Sequence, residues 1–153
     1  MTTIIKGGEI RSIQAGIRVS RDAATLPQSD SGVLFNVTGG RVIITGIVGE
    51  VTTGIQNQAN NTKLTANPDT GTSVDICAVL DIADDEVGTL YGITGTFSDA
   101  MVGENAGATV WPTAPVVVAA GSIDLDCAAS NSGEVKWSLT YVPLDDGASV
   151  SAA

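Results

Sequence analysis

The run Asp69-Thr70-Gly71-Thr72-Ser73 is the part of the chain whose residue types and order come nearest to known chemistry. It has the D-T-G-[ST]-S form that carries a catalytic aspartate in acid proteases, where two such aspartates share a proton because neighbouring like charges cannot both ionise. One copy is present, so the chemistry would need a symmetric dimer. The copy also follows Ala66-Asn67-Pro68 rather than an apolar strand. With Pro in its second position and Gly closing it, Asn67-Pro68-Asp69-Thr70-Gly71 reads as a turn.

The acids Asp81, Asp84, Asp85 and Glu86 form a second group, of the hard oxygen ligands that calcium takes. Their spacing follows no calcium loop, and solvated carboxylates in a hairpin turn are the plainer account. The chain has no histidine. That removes Ser-His-Asp and Cys-His arrangements and the usual zinc sites. Neither a phosphate-binding Walker loop nor a dinucleotide fingerprint is present. Cys77 and Cys127 match no zinc or redox spacing. Alternation over residues 74–82 puts Cys77 on a polar face, whereas Cys127 shares a face with Ile123 and Leu125. Opposite faces weigh against a disulfide between them, which needs facing Cβ atoms. No catalytic residue, metal residue or cofactor is expected, and the protein is expected not to be an enzyme.

If the chain does not catalyse, its charge says most about what it touches. Seventeen acids against seven bases give a net charge of −10, which disfavours nucleic acid and anionic membrane as partners. Four of the seven cations, Lys6, Arg11, Arg18 and Arg21, lie in the first 21 residues beside one acid, Glu9. That segment carries +3 and the remainder −13. A basic segment on an acidic body is a candidate docking arm.

The elements that must position these residues are strands. Of the 153 residues 43% are hydrophobic but only 4% aromatic, so the core is expected to be Val, Ile, Leu and Ala. β-branched runs broken by 18 glycines predict many short strands and tight turns. Residues 1–30 read as an N-terminal extended arm with one or two short strands. Ile10, Ile13 and Ile17 share a helical face, but the glycines and β-branched residues argue against a long helix. Residues 31–144 hold the predicted domain of seven to nine strands, among them a long central strand over RVIITGIVGEVTTGIQ, Arg41–Gln56, with glycine bends at Gly46 and Gly49. The final strand alternates Val135, Trp137, Leu139 and Tyr141 with polar residues, which places Trp137 in the core. Residues 145–153 read as a frayed tail. The fold class expected is all-β, a β-sandwich or jelly-roll-like domain. Trp111, beside Pro112 in a glycine-rich loop, and Tyr91 are the aromatic candidates for a subunit or partner interface. The opening MTTIIKGGEI lacks the apolar core of a signal peptide, and no run is long enough to span a bilayer, so the expectation is a soluble protein made in a cytoplasm.

The texture of LFNVTGGRVIITGIVGEVTTGIQ, TKLTANPDTGTSVDICAVLDI, VGTLYGITG and VVVAAGSIDLDCAASNSGEVKWSLTYVPLDDGA resembles small β-rich head proteins of tailed bacteriophages, the capsid decoration or cement proteins. The resemblance covers residues 33–148 and rests on no catalytic signature. It implies a homotrimer on the outer surface of the virion capsid, made in the host cytoplasm, with the major capsid protein as partner. Lys6, Arg11, Arg18 and Arg21 would then belong to an arm that grips the lattice. The alternative placement is the tail, as a receptor-binding protein whose loop aromatics, Trp111 and Tyr91, meet a host ligand.

Overall fold

The structure, a computed structural model, describes residues 4–153. Residues 1–3 of the predicted arm lie outside the described residues. Two antiparallel sheets pack face to face, as expected of a β-sandwich. The first contains β1 (Ile17–Thr25), β10 (Glu134–Pro143), β3 (Val42–Thr53) and β7 (Leu90–Tyr91) in that order, with β8 (Val116–Val118) also on β3. The second runs β11 (Ser149–Ala152), β2 (Ser31–Thr38), β9 (Gly121–Cys127), β4 (Asn61–Pro68) and β5 (Val74–Asp75), with β6 (Leu80–Asp81) also on β4.

Alternation decides which side chains meet between the sheets. Val135, Trp137, Leu139 and Tyr141 of β10, with Val42, Ile44, Ile47 and Val51 of β3, face Phe35 and Val37 of β2, Leu64 of β4 and Ile123 and Leu125 of β9. Each such side chain contributes about 1.5–3 kcal/mol on burial. The predicted long strand is central, flanked by β10 on one side and by β7 and β8 on the other. It carries a bulge: Gly46 pairs with Thr140 and Ile44 with Tyr141, which leaves Thr45 as the extra residue. The glycines have a further use there. A Cβ on Gly49 would come within 2.9 Å of the Trp137 ring inside the sandwich, and one on Gly46 would overlap the Trp111 ring on the outer face. Each glycine seats an indole across β3.

Three segments depart from the sequence reading. Gly7–Ala15 forms a helix, α1, and Ile17–Thr25 is no free arm, because Ile17 to Arg21 pair in register with Tyr141 to Trp137. Glu9 stabilises the helix start by accepting from the backbone N–H of Lys6 at 2.8 Å. The tail is also structured. Ser149 to Ala152 pair with Thr38 to Phe35, and Ala148 and Val150 turn inward while Ser149 and Ser151 face out. Arg41 locks the preceding turn, its Nε and Nη2 donating to Asp145 at 2.9 and 2.7 Å. Residues 74–82 are not one alternating strand. Ile76 and Cys77 are both buried in succession: the chain bends away from β4 after Ile76, whose N–H still donates to the Leu64 carbonyl at 2.9 Å, and rejoins it at Leu80. Cys77 therefore sits in the core, where its Sγ accepts from the Leu64 N–H at 3.3 Å. Both cysteines are free, and burial pushes both thiols up from their ordinary pKa.

Candidate functional site, a groove between helix α1 and the outer sheet face

The helix lies over the outer face of the first sheet with its small and polar side inward. Gly8, Arg11, Ser12 and Ala15 line one wall of a groove of about 590 Å³, and Arg18, Ser138, Thr140 and Trp111 line the rest. The Thr45 hydroxyl donates to the Ala15 carbonyl and lies 2.9 Å from the Thr140 hydroxyl. This short network ties the helix end to the bulge of β3. Trp111 lies against Gly46 and is still 51% exposed.

Three sequence-predicted residues converge here: Arg11, Arg18 and Trp111. No carboxylate among the described residues lines the groove. Among the described residues, ion pairs engage only Arg41, with Asp145, and Lys63, with Asp75, each at 2.7 Å. Both arginines are thus available to a ligand. Guanidinium groups are suited to bidentate pairing with carboxylate or phosphate, and an exposed indole adds a flat apolar surface. The groove therefore suits an acidic segment of a partner better than a neutral or basic one.

The other predicted contact residues go elsewhere. Lys6 is exposed at the helix start. Arg21 faces the sandwich edge, where it lines a cavity of about 150 Å³ with Leu26, Leu34, Leu125 and Trp137, and its buried Nε has no partner. Strand alternation separates it from Arg18. Tyr91 is in the core, 1% exposed, stacked on Trp137 at 6.3 Å between ring centroids. It presents no surface to a partner, because its strand turns the ring inward.

The acidic turn does not converge. Asp85 points inward and is 1% exposed, accepting from the Tyr91 hydroxyl at 2.5 Å and the Asn105 N–H at 2.8 Å. Burial pushes its carboxyl above the ordinary range, and those two donors partly oppose the shift. The Tyr91 phenol is raised as well, first by burial and then by Asp85. Asp81 instead accepts from the N–H groups of Asn60 and Ala83, while Asp84 and Glu86 face solvent. No group of three or more such side chains gathers around a cation position among the described residues. Asp69 occupies an exposed turn after β4, held by Ser73 donating to Asn67 at 2.7 Å.

Sequence reasoning missed the Tyr91–Asp85 pair. It lacked the information that the acidic turn folds over β7; the one signal was an aromatic hydroxyl six residues beyond a carboxylate. Compared with protein-family models, with curated proteins and with solved structures, the chain matches none.

Proposed function

We propose that the protein is a structural virion protein that binds the outer surface of a tailed-bacteriophage capsid as a homotrimer and stabilises the head against the pressure of packaged DNA. The observation that carries the reading is the convergence of Arg11, Arg18 and Trp111 in one groove of a chain whose net charge is −10. The groove takes an acidic segment of the major capsid protein. The acidic body faces outward, where like charge keeps crowded copies apart and away from nucleic acid. A sandwich with paired strands at both ends of the chain is a stiff bridge, and repetition over a lattice multiplies a modest contact into firm attachment.

The test is co-sedimentation of the full-length protein with capsids lacking it, comparing wild type with the double variant Arg11→Glu/Arg18→Glu. Reversing both charges against an acidic partner should weaken binding roughly tenfold or more, with a flatter salt dependence. Removing residues 1–21 would not serve, because residues 17–21 are part of the first sheet. Wild-type protein that fails to pellet with heads, or immunogold label confined to the tail tip of virions, would overturn the reading.

A further inference from the structure

Val19 and Arg21 point to the same side of β1, because side chains alternate along a strand. Their partners in register are Leu139 and Trp137, both core residues of β10, and Val19 itself packs against the core. Arg21 therefore puts a guanidinium where the pattern calls for an aliphatic side chain. A charge turned inward is costly unless it is paired. Its Nε is buried without a partner, and the two ion pairs among the described residues, Arg41 with Asp145 and Lys63 with Asp75, do not involve it.

Beside this guanidinium lies a cavity of about 150 Å³, walled by Leu26, Leu34, Leu125, Val135 and Trp137. The topology opens the sandwich at this corner. β1 is the last strand of the first sheet, and its register with β10 shifts between Arg21 and Ala24, both of which line the cavity. In the second sheet β11 pairs with β2 only as far as Phe35, and Ala153 adds one bond to the Leu34 carbonyl at 3.1 Å. Ser31 to Val33 lie past its end.

An inward charge on an edge strand also serves to discourage pairing with another sheet. That role needs no cavity, whereas here leucine, valine and indole walls enclose space next to the donor. A guanidinium presents planar paired donors that match a carboxylate side-on. The walls match a compact hydrocarbon group, since an apolar cavity of about 150 Å³ accommodates benzene. No acid among the described residues lines the cavity.

We propose that this cavity binds a small monocarboxylate with a branched aliphatic or aromatic tail, its carboxylate on Arg21 and its tail against Leu34, Leu125 and Trp137. Such a ligand pairs the inward charge and gives the buried Nε an acceptor. The site is separate from the groove at α1, because Arg18 and Arg21 are three residues apart on β1 and face opposite sides. It goes beyond the proposed function and does not depend on it.

The test is titration of the full-length protein with 3-methylbutanoate and with benzoate, for wild type, Arg21→Leu and Arg21→Lys. Binding is read by calorimetry and by Trp137 emission in a Trp111→Phe background. Wild type should bind both acids saturably, and their neutral amides at least about tenfold more weakly. Arg21→Leu should weaken binding by about tenfold or more while melting no lower than wild type, since it removes an unpaired inward charge. Arg21→Lys keeps the charge without the paired donors and should fall between the two. Bound acid should raise the Tm of wild type and leave that of Arg21→Leu unchanged. Titration without saturation, amides that bind as tightly as the acids, or an Arg21→Leu variant that binds as wild type does would overturn the proposal. Inorganic phosphate that binds as tightly as the acids would overturn it too, because the apolar walls would then contribute nothing. Arg21→Lys binding as tightly as wild type would also count against it, which keeps the test decisive if Arg21→Leu folds poorly.

Discussion

Gly46 and Gly49 lie three residues apart on β3, so they face opposite sides of the sheet, and each sits beneath an indole. Adding one methyl group to each tests whether the rings are seated as described. At Gly49 the new Cβ would stand 2.9 Å from three atoms of the Trp137 ring, against about 3.5–4.0 Å for an ordinary carbon contact. Trp137 is buried and stacked on Tyr91, so its ring cannot swing out into solvent. Overpacking of this kind costs about 1–3 kcal/mol, and replacing strand glycine returns about 0.5–1 kcal/mol. Gly49→Ala should therefore destabilise by roughly 1–2 kcal/mol, a fall in Tm of about 2–8 °C for a domain of this size. At Gly46 the overlap is at least as severe, but Trp111 is half exposed and can swing into solvent. Gly46→Ala should change stability by no more than about 0.5 kcal/mol. It should instead red-shift part of the tryptophan emission and raise its quenching by acrylamide. Urea and thermal unfolding followed by fluorescence and circular dichroism read both effects. A neutral Gly49→Ala, or a Gly46→Ala that costs as much and leaves quenching unchanged, would refute the reasoning.

Tyr91→Phe removes one of the two donors to the buried Asp85 carboxylate and should destabilise by about 1–3 kcal/mol at neutral pH. Because the folded carboxyl titrates above its unfolded value, its favourable contribution is complete below that value and is lost as pH rises through the folded one. The Tyr91→Phe penalty should therefore grow with pH over that window; a penalty independent of pH would count against the pair. Asp145 behaves in the opposite sense. Hydrogen bonds from Arg41, with its charge, pull the carboxyl down to about 2 from 3.8, so the pair stabilises above the unfolded value and the gain disappears as pH falls towards about 2. Thermal melts of wild type and Asp145→Asn should differ slightly at neutral pH and converge at the acid end. Curves that stay apart would show that the turn is held by something other than this charge pair.

How far the sequence reaches is clearest at particular residues. Period-two alternation in Val135, Trp137, Leu139 and Tyr141 is a local property, so the last long strand and its inward face were legible without the fold. The same pattern in Ala148 to Ala152 is just as regular but only five residues long. Its pairing with β2 depends on a strand more than a hundred positions away. Cys77 was misplaced because alternation holds only while a strand stays paired, and β4 releases the chain between Asp75 and Leu80. The isoleucine spacing 10, 13, 17 signalled a helical face, but glycine and β-branching outweighed it in a count of propensities. The capping contact of Glu9 and the seat provided by Thr45 and the sheet come from geometry that such a count does not contain.

By itself the sequence determined the class of structure: an all-β body with an aliphatic core, chemistry without histidine, and a basic segment on an acidic domain. These follow from composition and from the two-residue period, which each strand expresses without its neighbours. Only the tertiary structure decided which charged and aromatic residues share a surface. Arg11, Arg18 and Trp111 meet because α1 folds back over β10 and a loop lays its indole on Gly46, whereas Arg21 and Tyr91 are turned inward by their strands. That sorting depends on contacts between residues distant in the chain, and spacing along one strand carries no record of them.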